Sequence, residues 1–229
     1  MNATLFFIIL PYLALLSFLI GTIYRYWFMP FQVSSLSSQF LESKKLYFGS
    51  RPFHWGIIFL FFGHLTAFLI PKAVLAWNKV PLRLYILEMS ALAFALLFLT
   101  GLILLIIRRV KSNRIRQVTS YMDTFVYFIL MFQAVTGIWT AVFYRWGTSW
   151  FTIVLTPYLK SVFKLNPDII AVSQLPIVVQ LHIVGAFILI GMIPFTRFVH
   201  FLVYPLAYLW RPYQKVVWNY RNIKFEQTK

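Results

Sequence analysis

The chain has 229 residues, 61% of them hydrophobic and only 11% charged, with a mean hydropathy of +0.77. That composition excludes a soluble globular domain and a disordered chain alike, because apolar runs long enough to cross a bilayer recur along it. Cysteine is absent, which excludes disulfides, iron–sulfur ligation and thiol nucleophiles, and the formal charge of +16 does not mark a nucleic-acid binder. Its basic residues gather at the ends of apolar runs, where anionic lipid or an acidic partner accounts for them.

At about 20 residues per crossing, the sequence predicts an all-α membrane protein. Its five transmembrane helices fall at 5–28, 53–71, 84–107, 124–144 and 175–204, in a single integral-membrane domain over 1–229. Met1 to Thr4 lack the basic stretch of a secretory signal, so the first run is expected to remain as a helix. An odd number of spans puts the termini on opposite sides. The connection at 108–117 carries Arg108, Arg109, Lys111, Arg114 and Arg116 with no acid, and a short tail at 211–229 carries five more basic residues. With Arg25, Lys44, Lys45, Arg51 and Arg197 they place 15 of the 21 basic residues on one side, so the N-terminus is expected outside and the C-terminus in the cytoplasm. The connection between Pro71 and Pro81 reads as short and turn-rich. The one from Arg145 to Pro176 is long and semi-apolar, with Trp146, Trp150 and Phe151 suggesting a ledge on the outer interface.

All four histidines lie in two of these runs, His54 and His64 in the second, His182 and His200 in the fifth. An imidazole in hydrocarbon is costly unless it faces the interior and finds a partner, so an intramembrane histidine points to function. His182 and His200 are 18 residues apart, five whole turns or about 27 Å of rise in a continuous helix. His54 and His64 are 10 apart, about 15 Å. Neither pair can grip one metal within its own helix. Because the two helices run in opposite directions, His54 meets His200 near the inner face and His64 meets His182 near the outer one.

Two such pairs, stacked across the bilayer, suit the iron of two b haems. Gly56, Gly63 and Gly185 would let a macrocycle approach the backbone, though small residues also serve ordinary helix contacts. The mismatch between the two rises calls for tilt, or for a bend at Pro194. Arg197, three residues before His200, could neutralise a haem propionate or simply snorkel to the inner leaflet. Glu88, the one acid deep in an apolar run, is a candidate proton acceptor or half of an ion pair, and Asp123 reads as a favourable charge at a helix N-terminus.

The run His54-Trp-Gly-Ile-Ile-Phe-Leu-Phe-Phe-Gly-His64, the pair Leu181-His182 and the block Pro194-Phe-Thr-Arg197-Phe-Val-His200-x4-Pro205-x2-Tyr208-Leu209-x-Arg211-x-Tyr213-Gln214 resemble the gamma subunit of respiratory nitrate reductase. That family is the di-haem cytochrome b membrane anchor of an anaerobic respiratory enzyme in the bacterial or archaeal inner membrane. The resemblance implies that the chain oxidises a membrane quinol (menaquinol or ubiquinol) near the outer face and passes electrons through two b haems to a cytoplasmic iron–sulfur beta subunit. Nitrate would be reduced elsewhere, in a molybdenum-containing alpha subunit. It also implies a basic residue at the quinol site, for which Arg83 and Lys79 are the candidates, the match at Arg83 needing a one-residue gap. Relatives carry an arginine two positions before the outer histidine, where this chain has Gln180. Two other classes stay open on the residues alone: a di-haem subunit of a different quinone-linked complex, serving heterodisulfide reduction or sulfur metabolism, and a transport bundle using histidines as proton relays.

Overall fold

The computed structural model describes residues 2–29, 44–145 and 150–202. Among them there is no strand, and five helices are long and apolar enough to cross a membrane. A π-helical turn, Leu5–Ile9, leads into α1 (Leu10–Phe28). Helix α2 (Lys44–Leu69) is followed at once by α3 (Pro71–Asn78), α4 (Pro81–Lys111) and the short α5 (Asn113–Gln117). Helix α6 (Tyr121–Phe143) comes next, then a second π-helical turn, Phe151–Leu155, then α7 (Thr156–Phe163), α8 (Ile170–Ser173) and α9 (Ile177–Met192). The five spans are α1 with its π-helical turn, α2, α4, α6 and α9 with the turn after it.

Prolines and side-chain caps set several of these limits. Pro71 and Pro81 open α3 and α4 at positions where a missing N–H costs nothing. Helix α6 begins with a reciprocal capping box: Ser120 Oγ accepts from Asp123 N at 3.1 Å, and Asp123 Oδ2 accepts from Ser120 N at 3.0 Å.

The spans pack as an open series, α2 on α4, α4 on α6, α6 on α9 and α9 on α1. Helices α2 and α9, which carry three of the four histidines, are joined through their neighbours and share no extensive backbone contact. The α2–α4 contact is the tightest. A Cβ built at Gly56 would lie 2.5 Å from the Phe98 nitrogen, and one at Gly101 would lie 2.3 Å from the Phe53 nitrogen. Backbone atoms cannot swing aside as side chains do, so only glycine permits this approach. Gly101→Leu is therefore expected to cost about 1–3 kcal/mol or more, read as loss of folded protein from membranes and a lower thermal midpoint in detergent.

Three features differ from the sequence expectation. Helix α2 starts nine residues before Phe53 and carries Pro52 inside it, so His54 sits about three turns in, away from the end. The connection after Pro71 is a two-turn helix. The last span is not one helix: α9 stops at Met192, Ile193–Phe195 and Arg197–Val199 form separate 3-10 turns, and Thr196 between them is extended at φ −120° and ψ 177°. The stretch from 203, including the end of the predicted fifth span, the Pro205 to Gln214 block and the basic tail, lies outside the described residues, as does Trp146.

The ledge after α6 is integrated into the bundle. Tyr158, Val162 and Val172 are buried, Tyr158 donates from its hydroxyl to Phe7 O at 2.9 Å, and Tyr12 donates to Val162 O at 3.1 Å. Burial, and then the neighbouring Tyr12, raise the Tyr158 hydroxyl above the usual tyrosine range, so it stays a donor at any physiological pH.

Candidate functional site

Each histidine is oriented through its Nδ1. His54 Nδ1 lies 2.7 Å from Ser50 O, His64 Nδ1 lies 2.7 Å from Leu60 O, and His200 Nδ1 lies 2.6 Å from Arg197 O. A carbonyl can only accept, so in these three rings Nδ1 carries the proton and Nε2 is the lone-pair nitrogen. His182 reaches the same state by another route. Its Nδ1 is 3.0 Å from Thr136 Oγ1, whose own proton goes to Phe132 O at 2.8 Å, leaving the hydroxyl oxygen to accept. Anchoring one ring nitrogen in this way fixes the tautomer and strengthens the other nitrogen as a metal ligand.

One ring of α2 meets a ring from beyond α9 across the bundle. The centres of His54 and His200 are 6.4 Å apart. Two imidazoles binding one metal from opposite sides, each through a bond of about 2 Å, put their ring centres roughly 6 Å apart. His64 and His182 lie near enough to interact electrostatically. His54 is exposed and the other three are half-buried. Among the described residues no group of three or more His, Cys, Asp or Glu side chains gathers, so a metal held here takes two protein ligands and needs the rest from its own cofactor.

The last span is interrupted before His200: the 3-10 turns and the extended Thr196 end the helix of α9, and Thr196 Oγ1 caps the following turn by accepting from Phe198 N at 3.3 Å.

Around the second pair, Phe151 stands edge-on to His64 with ring centres 5.7 Å apart. Beside it is a cavity of about 320 Å³ lined by Phe59, Gly63, Leu87, Ala91, Phe151 and Thr152 among others, almost wholly apolar. The π-helical turn carrying Phe151 and Thr152 is pinned to α2 by Thr156 Oγ1, which donates to Ala67 O at 3.3 Å. π-helical turns recur at functional sites because they shift side chains off the regular stripe.

The remaining predicted residues fall in distinct places. Gly63 lines the cavity, whereas Gly56 and Gly185 lie at helix contacts, Gly56 on Phe98 and Phe94 of α4 and Gly185 on Gln133 and Phe132 of α6. Gly137, which the sequence did not single out, is the glycine at a histidine: a Cβ there would lie 2.9 Å from His182 Cε1. Arg83 is exposed with its guanidinium 5.0 Å above the Trp77 ring, and Lys79 is exposed at the end of α3. Glu88 pairs with Arg145, Nη2 to Oε2 at 2.6 Å and Nε to Oε2 at 3.1 Å, while its Oε1 is buried and without a hydrogen-bond partner among the described residues. That hydrogen bond and the Glu88 charge hold the Arg145 proton more tightly than usual. Gln180 Nε2 donates to Ser173 O at 2.9 Å and to Leu175 O at 2.7 Å, fastening the end of α8 to α9. Arg197 and Asp123 form an ion pair, Nε to Oδ1 at 2.6 Å and Nη2 to Oδ2 at 2.9 Å.

The fold defines a multi-pass membrane protein of five apolar spans, in which a histidine of the second span faces one just past the fifth across the bundle. Residues 3–219 match the family described as nitrate reductase gamma subunit, and the chain belongs to that family. It is 34% identical to the nitrate reductase gamma chain of Bacillus subtilis over 218 residues, 93% of this chain and 96% of the relative. It is 31% identical to the respiratory nitrate reductase 1 gamma chain of Escherichia coli, covering 92% and 95%. The nitrate reductase-like protein NarX of Mycobacterium tuberculosis shares 27% identity over 93% of this chain but only 33% of its own length. By their names the first two relatives are single subunits of an oxidoreductase complex.

Proposed function

We propose that the chain is the quinol-oxidising di-haem cytochrome b subunit of a nitrate reductase, with the N-terminus outside and the basic 108–117 turn and tail in the cytoplasm. His54 and His200 would hold the inner haem, His64 and His182 the outer one. The observation that carries this reading is that all four histidines have Nδ1 anchored and Nε2 as the lone-pair nitrogen, while one pair already stands 6.4 Å centre to centre. The separation of α2 from α9 suits a flat apolar macrocycle between them. Haem bound at each pair supplies one-electron chemistry, so a two-electron quinol is oxidised in single steps and releases two protons.

The chain's own residues do the rest. The cavity beside His64 is apolar enough for a quinol ring and isoprenoid tail, and Ser90, Thr66 and Thr152 supply its few polar edges. Arg83 lies one turn before Leu87 of the lining, on the same face of α4, and can attract the quinol hydroxyl as its proton leaves. Glu88 Oε1 is a buried oxygen that can accept that proton, while Arg145 grips the other oxygen and fixes the side chain. Lys79 is the more remote candidate. Electrons delivered inward would pass to an iron–sulfur beta subunit and a molybdenum-containing alpha subunit, met by the basic turn. Protons released outside while electrons move inward amount to charge transfer against the membrane potential.

The test is optical. In membranes from cells making this chain, dithionite is expected to reveal two b-type haems, and a menaquinol or ubiquinol analogue is expected to reduce them. Ala91→Phe, which fills the cavity without touching a histidine, is expected to lower quinol-driven reduction by about 10-fold or more, the scale of a blocked pocket contact, with the dithionite spectrum intact. Haems that dithionite reduces but quinol never does would refute the quinol role.

A further inference from the structure

Nothing in the sequence gave Asp123 a role beyond opening α6, yet the structure makes it the meeting point of three elements at the His54/His200 end. From α4, Arg109 Nη1 reaches Asp123 Oδ2 at 3.3 Å and Thr119 Oγ1 at 2.9 Å, with its guanidinium 5.1 Å above the Tyr127 ring. From the turn before α6, Ser120 N donates to Oδ2. From beyond α9, Arg197 makes the two-point ion pair. The carboxylate is buried, at 7% exposure, and so stands among two arginines with little solvent to screen them.

Arg197 is also the residue whose carbonyl fixes His200 Nδ1. The turn that carries both is cut off from α9 by the extended Thr196, so no helical register passes from the bundle to His200. Burial of Val199 and the Thr196 cap hold the turn down, but neither is directional toward α6. The ion pair is: a carboxylate and a guanidinium fork meet in one plane and at two points. We propose that Asp123 is the positioning residue of the His54/His200 site, gripping Arg197 so that its carbonyl sets the tilt and basicity of the His200 ring, and lowering the positive charge beside that site.

The proposal rests on the haem reading of that pair. Two consequences follow from electrostatics. Without the carboxylate, the charges of Arg109 and Arg197 are no longer offset by Asp123, which favours the less positive ferrous state of nearby iron and raises its midpoint potential. The loosened turn also lets the His200 ring rotate, which alters the ferric low-spin signal.

Redox titration and low-temperature electron paramagnetic resonance on the full chain in membranes test both. In Asp123→Asn, the haem that disappears on His200→Ala is expected to shift its midpoint upward and change its ferric signal, the other haem keeping both, and Asp123→Glu is expected to move the midpoint back toward the wild-type value. Should Asp123→Asn fail to accumulate, Arg197→Lys keeps the charge but loses the fork, and is expected to change the ferric signal of the same haem with little movement of its midpoint. Wild-type midpoints and ferric signals in Asp123→Asn, an equal shift of both haems, or an unaltered signal in Arg197→Lys would each overturn the proposal. Wild-type membranes without two b-type haems would instead remove the haem reading on which it stands.

Discussion

His182→Ala is expected to abolish quinol-driven reduction while leaving one b-type haem that dithionite still reduces. His182 has no substitute, because no third ligand stands nearby among the described residues and the remaining His64 offers a single bond. The neighbouring Thr136→Val separates ligation from orientation. It deletes only the oxygen that accepts from His182 Nδ1, and losses at such supporting contacts run to about 10- to 100-fold in affinity for the bound group. A haem that survives purification in Thr136→Val but bleeds away on dilution, against one absent from the start in His182→Ala, would establish the two roles. Pyridine haemochrome quantification per chain, before and after dilution, measures it. Gly137→Val approaches the same ring from the other side, where a Cβ would already lie 2.9 Å from His182 Cε1, and should resemble Thr136→Val more than His182→Ala.

The spans were legible in the sequence because they depend on the length and polarity of apolar runs alone. Runs of apolar residues report hydrocarbon thickness. What the sequence left open was set by contacts between elements. Pro194 signalled a bend, but only the structure shows that the chain abandons the helix at Met192 and is extended at Thr196. Gly56 and Gly185 could equally have faced a macrocycle or a helix, and a sequence gives no azimuth for the neighbour; both lie against helices. Gln180 ties α8 to α9, a bond from side-chain amide to backbone carbonyl that no motif encodes. Asp123 and Arg197 are 74 residues apart, and a lone acid at a helix start looks complete with its own cap. The signal that was available is arithmetic: with 5 acids against 21 basic residues, any acid in an apolar run has a choice of partners, and Glu88 took one and Asp123 two.

His200→Ala is expected to give the opposite failure from His182→Ala: quinol analogues still reduce the remaining haem, and nitrate added afterwards no longer reoxidises it. The asymmetry follows from how the two sites are carried. His54 and His64 belong to one unbroken helix, ten residues and about 15 Å apart along its axis, so losing the first site does not disturb the second. The His64/His182 pair with its adjoining cavity is built from α2, α4, α6, α9 and the Phe151–Leu155 turn, none of which depends on the 3-10 turn that ends at His200. On the proposed route an electron from quinol would therefore find its acceptor intact and would then have no second metal at the His54 level of α2 to pass to. Stopped-flow absorbance in membranes containing the assembled complex reads this directly, as a haem band that appears with quinol at near the wild-type rate and persists through a nitrate pulse. If the band in His200→Ala bleaches on nitrate as fast as in the wild type, electrons leave this chain without the His54/His200 pair, and the inward order of the two sites is wrong.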